Sequence, residues 1–502
     1  MNAVLINPPN HRRDTDDLAP PLGLLCLFDA LAAEGVSVAL IDYNLYSITG
    51  ALEDADHFYV NAARDILGHQ PDFVCFTSMG INSHVALGLA RELKKASPHI
   101  VTVFGGPHFS ALAERLLKDF WFVDAVVIGE GESAVQQLVR TRQRSAKFPR
   151  KAWRSGPLEF SGHPWRAYRG LNLAEYFEAN PLRVLNMETG RGCKYKCKFC
   201  YSPGFWTEPT DFPIRDVVSD FERAALIGAS HLFVVQDNLL NDPDYVRDLC
   251  AELRRIPDRP SWNCYATLPD LRPQILGDLA GAGCNSIYVG IDAVTARQKA
   301  AFGKAFARTL DVCHEKINWI ISAGITPTCS FIFDPIHWDA AELEENLRWA
   351  LSLRQRGAEL SFHVLTYYPN TGLTRQPKTE SHILDDYRIS LMFDCPEVVL
   401  CNPFALAYPN MFPFHVRPPC NGDEYRHAVT IVHVAQTILT EFPLEIAQLL
   451  SEEDLSISAL VKIIAERVHK GNSVRVDALS AKVATFEACK DLLCKSYGFA
   501  HV

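Results

Sequence analysis

Gly190-Arg191-Gly192-Cys193-Lys194-Tyr195-Lys196-Cys197-Lys198-Phe199-Cys200-Tyr201 decides how the rest of this chain is read. Three thiols fall within eight residues, directly after an apolar strand candidate, Val184–Glu188. Thiolates suit iron–sulfur clusters and zinc alike. A structural zinc site wants four ligands, usually in two pairs. No second Cys pair or Cys/His pair follows at a plausible spacing. Three protein ligands on a 4Fe–4S cluster would leave one iron open, and an open iron can do chemistry.

Downstream of the thiols, short apolar runs alternate with helical periods. The expected strands are Val184–Glu188, Leu232–Gln236, Trp262–Ala266, Ser286–Ile291, Thr326–Phe333 and Leu360–Thr366. Helical segments fit between them at Val217–Leu226, Tyr245–Arg254, Gln274–Ala282, Thr309–Ser322 and Ala341–Gln355. Six β/α units over 182–379 predict an open (β/α)6 partial barrel with ligands at the C-terminal strand ends. Upstream the same rhythm appears over 1–140. Strands are expected at Ala3–Asn7, Val36–Ile41, Phe73–Ser78, Val101–Phe104 and Asp124–Ile128, with helices at Leu22–Glu34, His84–Ala96 and Phe109–Lys118. Continuous apolar strands between helices predict a doubly wound, Rossmann-like parallel sheet. Residues 141–181 lose the rhythm, are basic early, and read as a linker. Beyond Thr379 apolar residues recur at helical spacing in Tyr425–Phe442 and Leu455–Val468, so 380–502 is expected to be mostly helical.

The bulk numbers bound the partners. The chain has 502 residues, a length suited to about three domains. A formal net charge of −10 argues against coating a nucleic acid. Neither a signal peptide nor an apolar run of spanning length is found, so the expectation is a cytoplasmic protein with no membrane partner. Of the 15 cysteines, Cys26, Cys75, Cys250, Cys264, Cys284, Cys313 and Cys329 stand singly in apolar stretches and read as small buried hydrophobes. Cys395, Cys401 and Cys420 have no compact spacing.

The CxxxCxxC spacing, the aromatic Phe199 before the last Cys and the preceding strand together resemble the radical S-adenosylmethionine (SAM) superfamily. The resemblance implies that Cys193, Cys197 and Cys200 bind a 4Fe–4S cluster whose open iron chelates SAM. Phe199, Tyr201 and the polar atoms of Gln236 and Asp237, in Val234-Val235-Gln236-Asp237-Asn238, are carried over as cofactor contacts. This last match departs from the family's Gly-Gly-Glu-like turn, since both glycines are absent. Asp292 in Val289-Gly290-Ile291-Asp292 stands where an acid often meets the ribose, and Ser330 lies in the fifth-strand position.

The first 140 residues add Asn7-Pro8-Pro9, Phe104-Gly105-Gly106-Pro107-His108 and Val127-Ile128-Gly129-Glu130-Gly131-Glu132, each just after an expected strand. Glycines there let backbone approach a ligand closely. Their order ahead of a CxxxCxxC barrel resembles the cobalamin-binding, class B methyltransferase-like branch of the radical enzymes. That resemblance implies cobalamin between the two domains. The matched candidates are Asn7, Pro8, Thr77, Ser78, Met79, Gly105, Gly106, His108, Gly129, Glu130 and Gly131. The Asp-x-His-x-x-Gly signature of an axial histidine is missing.

The function implied is methyl transfer to an unactivated carbon or phosphorus of a small molecule or peptide, with an electron donor such as flavodoxin or ferredoxin. Radical rearrangement or cyclisation with the same cofactors, aminocarboxypropyl transfer without cobalamin, and a non-enzymatic iron–sulfur redox sensor are the rival readings. In the C-terminal part, Phe412–Cys420 reads as a packed connection or a lid carrying Arg417, and His11, Arg12 and Arg13 as a solvated loop.

Overall fold

The computed structural model describes residues 1–10, 18–52, 55–145, 147–155, 164–206, 208–304, 309–334, 337–374, 382–383, 404, 407–413, 416–417, 422–452, 456–471, 488 and 490. His11, Arg12 and Arg13, together with Cys395, Cys401, His415 and Cys420, lie outside the described residues.

Six strands form the first sheet: β1 (Asn2–Asn7), β2 (Ser37–Asp42), β3 (Phe73–Thr77), β4 (Val101–Gly105), β5 (Ala125–Ile128) and β6 (Lys151–Arg154). They run parallel in the order β2-β1-β3-β4-β5-β6. Ala3–Ile6 and Phe73–Phe76 are buried along their length because helices cover both faces. Helices Leu22–Ala33 and Glu132–Arg144 cover one face through Leu24, Leu31, Val135 and Leu138. The other face takes helices Ala55–Gly68, Ser83–Ala96, Pro107–Ala111 and Ala113–Asp119. The connection reverses direction between β1 and β3, and such a switch point opens a crevice at the C-terminal strand ends.

Two features of this part differ from the expectation. The segment 141–181 is more than a linker, because Lys151–Arg154 pairs in register with Ala125–Ile128 and extends the sheet. Only Trp153 of that strand is buried, so the strand carries no apolar run; lysine and arginine on an edge strand also discourage further pairing. Helix Leu173–Ala179 then packs back, with Tyr176 donating to the buried Asp42 at 2.7 Å and Asn180 to the Leu18 carbonyl at 2.8 Å. The helix expected over Phe109–Lys118 breaks at Leu112, whose φ of −114° and ψ of 12° leave the helical region.

The second sheet comprises β7 (Val184–Met187), followed after a small antiparallel pair, β8 (Gly190–Arg191) and β9 (Thr210–Asp211), by β10 (His231–Val234), β11 (Ser261–Thr267), β12 (Cys284–Asp292), β13 (Thr326–Phe333) and β14 (Glu359–Val364). Its order is β14-β13-β12-β11-β10-β7, all parallel, with no pairing of β14 to β7. This is an open six-stranded partial barrel. On β11, Trp262, Cys264 and Ala266 are buried in the helix-covered core, while Ser261, Asn263, Tyr265 and Thr267 are only half-buried on the opposite face. Cys250, Cys264, Cys284, Cys313 and Cys329 are all buried in the same core, and Cys75 in the first sheet.

The open edge is closed by the C-terminal helices Gly422–Glu441, Pro443–Glu452 and Ile457–Gly471, whose Ile431, Val434, Ile438, Leu460 and Ile464 join the barrel core. Gln436 mimics a neighbouring strand. Its amide accepts from the Phe362 N–H at 2.7 Å and donates to the Leu360 carbonyl at 2.9 Å, satisfying backbone groups on the outer side of β14. No described helix is long and apolar enough to cross a membrane. Gln436→Leu strips both bonds from half-buried backbone while keeping the side chain's bulk. It is expected to lower stability by about 1–3 kcal/mol, read as an earlier urea-unfolding midpoint.

Candidate functional site: a thiol loop facing the first sheet

Residues 192–209 carry the three cysteines, and β8 and β9 pinch the ends of this loop together. At Gly190 a Cβ would lie 2.4 Å from the Thr210 carbonyl and 2.6 Å from Gln236 Nε2, so only glycine fits. Gln236 does not offer its amide to a cofactor as expected. It accepts from Thr189 at 2.7 Å and donates to Asp211 at 2.8 Å, and it is buried, because without these bonds the pinch would bury unsatisfied groups.

The stretch after Cys193 is fixed from the strand ends. Asp270, at the end of β11, accepts from Tyr195 at 2.9 Å, Asn238 at 3.0 Å and Thr267 at 2.6 Å, and pairs with Lys194 at 2.8 Å. Asn241 accepts from the Lys194 N–H at 3.0 Å and donates to the Gly192 carbonyl at 2.9 Å. Around Cys197 the turn beyond β12 takes over. The Lys198 N–H donates to the Phe302 carbonyl at 2.8 Å, and Phe199 meets the Phe302 ring edge-on at 5.3 Å. Lys304, buried in this turn, donates to the Gly290 carbonyl at 2.9 Å and pairs with Asp292.

Asp292 and Ser330, both carried over as cofactor contacts, meet each other at 3.0 Å, with Asp292 in the left-handed region at φ 57°. Its carboxylate is therefore shared between Ser330 and Lys304. Lys304 is a residue that reading the sequence missed, although it is the sole cation in Ala300-Ala301-Phe302-Gly303-Lys304. Asp237 lies near Cys193 and Cys200. Burial raises its carboxyl pKa above the usual carboxylate value. Tyr201 lies near Asp237, Cys200, Tyr265 and Tyr368, and burial pushes its hydroxyl pKa far up.

The three thiols are half-buried, and burial pushes Cys193 up to about 11 and Cys200 up to about 12, with Cys197 raised as well. Cys200 senses the charge of both other thiols, so all three share one neighbourhood. Among the described residues no three His, Cys, Asp or Glu side chains gather closely enough for one metal ion. A 4Fe–4S cluster takes a thiolate at each of several separate irons, and three spaced thiols on one anchored loop fit that group better than a single zinc. Binding iron would displace the thiol protons.

The loops at the C-terminal ends of β1, β3, β4 and β5 hold all of the matched first-sheet candidates. Asn7 donates to Asp42 at 2.8 Å, and Asn82 donates to the Pro8 carbonyl at 3.1 Å. Ser78 donates to Asn82 at 2.8 Å and accepts from the Gly80 N–H at 2.9 Å, so its hydroxyl shapes the turn. Gly106 has φ 92°, and a Cβ on it would sit 2.9 Å from Thr77 Oγ1. A Cβ on Gly105 would meet Val127 at 3.8 Å, an ordinary contact, and Met79 is 52 % exposed at the rim. His108, which the sequence leaves open between a corrin-facing ring and a turn residue, lies in the short helix Pro107–Ala111. It is 3 % exposed, edge-on to Phe109 at 5.8 Å, because the Pro107–Ala111 helix turns it into the core. Glycines with positive φ at Gly106 and Gly129 (φ 79°) keep side chains off these strand ends, and an edge of that kind fits a large flat cofactor such as a corrin.

The two edges meet. Gly129 approaches the Phe205 carbonyl, just beyond Cys200, and a Cβ there would be 3.8 Å away. Helix Pro107–Ala111 packs on helix Ser202–Phe205. Arg191 links Glu130 at 3.2 Å and Glu132 at 2.7 Å, beyond β5, to Glu188 at 2.9 Å, beyond β7. Gly131, in the same loop as Glu130, packs against Leu27 of helix Leu22–Ala33.

Residues 14–139 match the B12 binding domain family, and residues 187–350 match the Radical SAM superfamily. This chain belongs to the cobalamin-binding radical SAM enzymes. Its family cofactors are a 4Fe–4S cluster, SAM and cobalamin. The anaerobic magnesium-protoporphyrin IX monomethyl ester cyclase of Cereibacter sphaeroides is 24% identical over 377 residues, covering 67% of this chain and 60% of that protein. The cytidylyl-2-hydroxyethylphosphonate methyltransferase of Streptomyces wedmorensis is 25% identical over 318 residues, covering 51% and 58%. This chain thus spans about 60% of the length of these two curated relatives. The radical SAM methyltransferase TsrM of Kitasatospora setae, solved with tryptophan substrate and a SAM analogue, shares the fold at a TM-score of 0.63 and 18% identity, covering 87% of this chain and 89% of that one.

Cys197→Ala is expected to abolish the cluster, seen as loss of protein-bound iron and of the broad visible absorption after anaerobic reconstitution. Helical circular dichroism should stay unchanged, because the loop's anchors lie elsewhere. Since the free thiols hold their protons above neutrality, reconstitution of the unaltered chain should proceed faster at pH 8.5 than at pH 7, in direct proportion to neither thiol alone.

Proposed function

We propose that this chain is a cobalamin-dependent radical SAM methyltransferase acting on an unactivated carbon or phosphorus of a small molecule or peptide. The observation that carries the reading is the direct abutment of two ligand edges. The thiol loop touches the Gly129–Glu132 loop of the B12-type sheet through Phe205 and Arg191. When bound, the cluster supplies the electron that cleaves SAM, and cobalamin supplies a transferable methyl group.

The residues of the chain hold and shield that chemistry. Cys193, Cys197 and Cys200 each give one thiolate to the cluster, and Asp237 lies in reach of the same loop. Phe199 and Tyr201 close its inner side with Phe302 and Phe205. On the barrel face away from the helices, the rings of Phe233, Tyr265 and Tyr288 touch in sequence. Tyr288 bonds His363 at 2.8 Å and Ser361 at 3.1 Å. Such a wall, aromatic and hydrogen-bonding, suits a small organic acceptor better than a nucleic acid, in keeping with the net charge of −10. A small acidic electron carrier of the flavodoxin or ferredoxin type would supply the electron. The relatives include both methyltransferases and a cyclase, and radical cyclisation with the same cofactors is the second reading.

The test is anaerobic reconstitution with iron, sulfide and hydroxocobalamin, followed by SAM carrying a deuterated methyl group and an extract of the source cells. Methyl transfer predicts cobalamin retained through desalting, 5′-deoxyadenosine released, and a deuterated methyl group on an extract component. Cobalamin and 5′-deoxyadenosine without transferred label would favour cyclisation. A cluster that releases no 5′-deoxyadenosine would leave a sensor.

A further inference from the structure

Arg191 is 8 % exposed and carries more partners than one cation needs. Three carboxylates surround it, two from the loop beyond β5 and one, Glu188, from the end of β7. The guanidinium also lies over the rings of Trp206, at 5.6 Å, and Phe212, at 5.8 Å. These two residues flank the far end of the thiol loop. Arg191 therefore sits at the seam where β8, the loop's return and the first sheet's ligand edge come together, two residues before Cys193.

Stability alone is a poor account of this arrangement. Burying a charge costs several kcal/mol, and apolar packing of similar volume often serves stability equally well. Geometry is what a guanidinium adds, because its planar fork donates to carboxylates only along fixed directions. The partners it joins in the first sheet, Glu130 and Glu132, bracket Gly131 and follow Gly129, whose backbone abuts Phe205.

We propose that Arg191 is a positioning residue that sets the register between the thiol loop and the Gly129–Glu132 loop, and so between the cluster and the bound cobalamin. This rests on the cobalamin assignment above, but its test does not depend on methyl transfer.

The experiment is hydrogen–deuterium exchange on the full-length, cluster-reconstituted chain, comparing wild type with Arg191→Lys and Arg191→Met, with iron content measured in parallel. A lysine keeps the charge but cannot fork to three carboxylates, so both variants should behave alike. The expected result is exchange at least about tenfold faster in peptides covering 129–133 and 190–192. Iron content and the protection of helices Ser83–Ala96 and Pro243–Leu253 should stay at wild-type values. In the same variants, hydroxocobalamin affinity from spectroscopic titration should fall about tenfold or more. Glu132→Gln, which keeps the shape and removes one charge, should give a smaller shift in the same direction. Unchanged exchange at 129–133 in both Arg191 variants would overturn the proposal. So would a rise spread evenly over both sheets, which would mark Arg191 as a general stabiliser, or wild-type cobalamin affinity in both variants. If wild type took up no cobalamin, the reading of the first sheet would fail on its own, and exchange would still decide whether Arg191 sets the register.

Discussion

The loop between β8 and β9 cannot hold its own shape, and much of the molecule is arranged around that constraint. A segment that must present three thiols to a cluster has only one short helix, Ser202–Phe205, among its described residues. Its backbone and side-chain polar groups therefore find partners on the surrounding strand ends. Asn241 and Asp270 serve the first part, Phe302 and Leu373 the middle, and the β9 pairing the end. Parallel strands in one open barrel make this possible, because they deliver every following loop to the same side. The anchors are shared out so that no single strand end carries the site.

Charge is handled in the same distributed way. Lys304 in the turn beyond β12 and Arg191 beside the first thiol are both buried, and each is met by carboxylates rather than left exposed to an apolar core. The two differ in what they join. Lys304 ties together β12 and its own following turn, with Ser330 of β13 completing the Asp292 carboxylate. Arg191 joins elements from the two halves of the chain, Glu130 being 61 residues away. Lys304 is thus a local brace within one sheet. Arg191 is a joint between two, and a joint has to be directional.

Much of this was legible from residue order. Alternating apolar runs located five of the first sheet's strands and all six of the barrel's, because buried parallel strands carry continuous Val, Ile and Phe runs. The thiol spacing was readable because coordination chemistry restricts it. The illegible part has a common cause. The edge strand β6 is half solvated, so Lys151-Ala152-Trp153-Arg154 shows no apolar run. Gln236 and His108 sit at strand ends, where chain position puts a residue near the site but does not say which way its side chain turns. Gln236 was claimed by Thr189 and Asp211, and His108 by the core beside Phe109. Arg191 stood inside the quoted motif, yet its carboxylate partners could be named only once the two sheets were placed.

The absence of an axial histidine signature has a physical reading in the same terms. A corrin is large and flat, and much of its area can be met by shape. At the C-terminal ends of the first sheet's strands, Gly129 has φ 79° and Gly106 makes a close turn that a side chain would push against Thr77. Shape of this kind depends on φ angles and on the absence of Cβ atoms, which leave only scattered glycines in a sequence. Cofactor recognition by backbone is therefore weakly marked in residue identity, while recognition by thiolate is strongly marked. A chain that uses both displays one half of its chemistry plainly, and the other half emerges only from the way its strand ends are stacked.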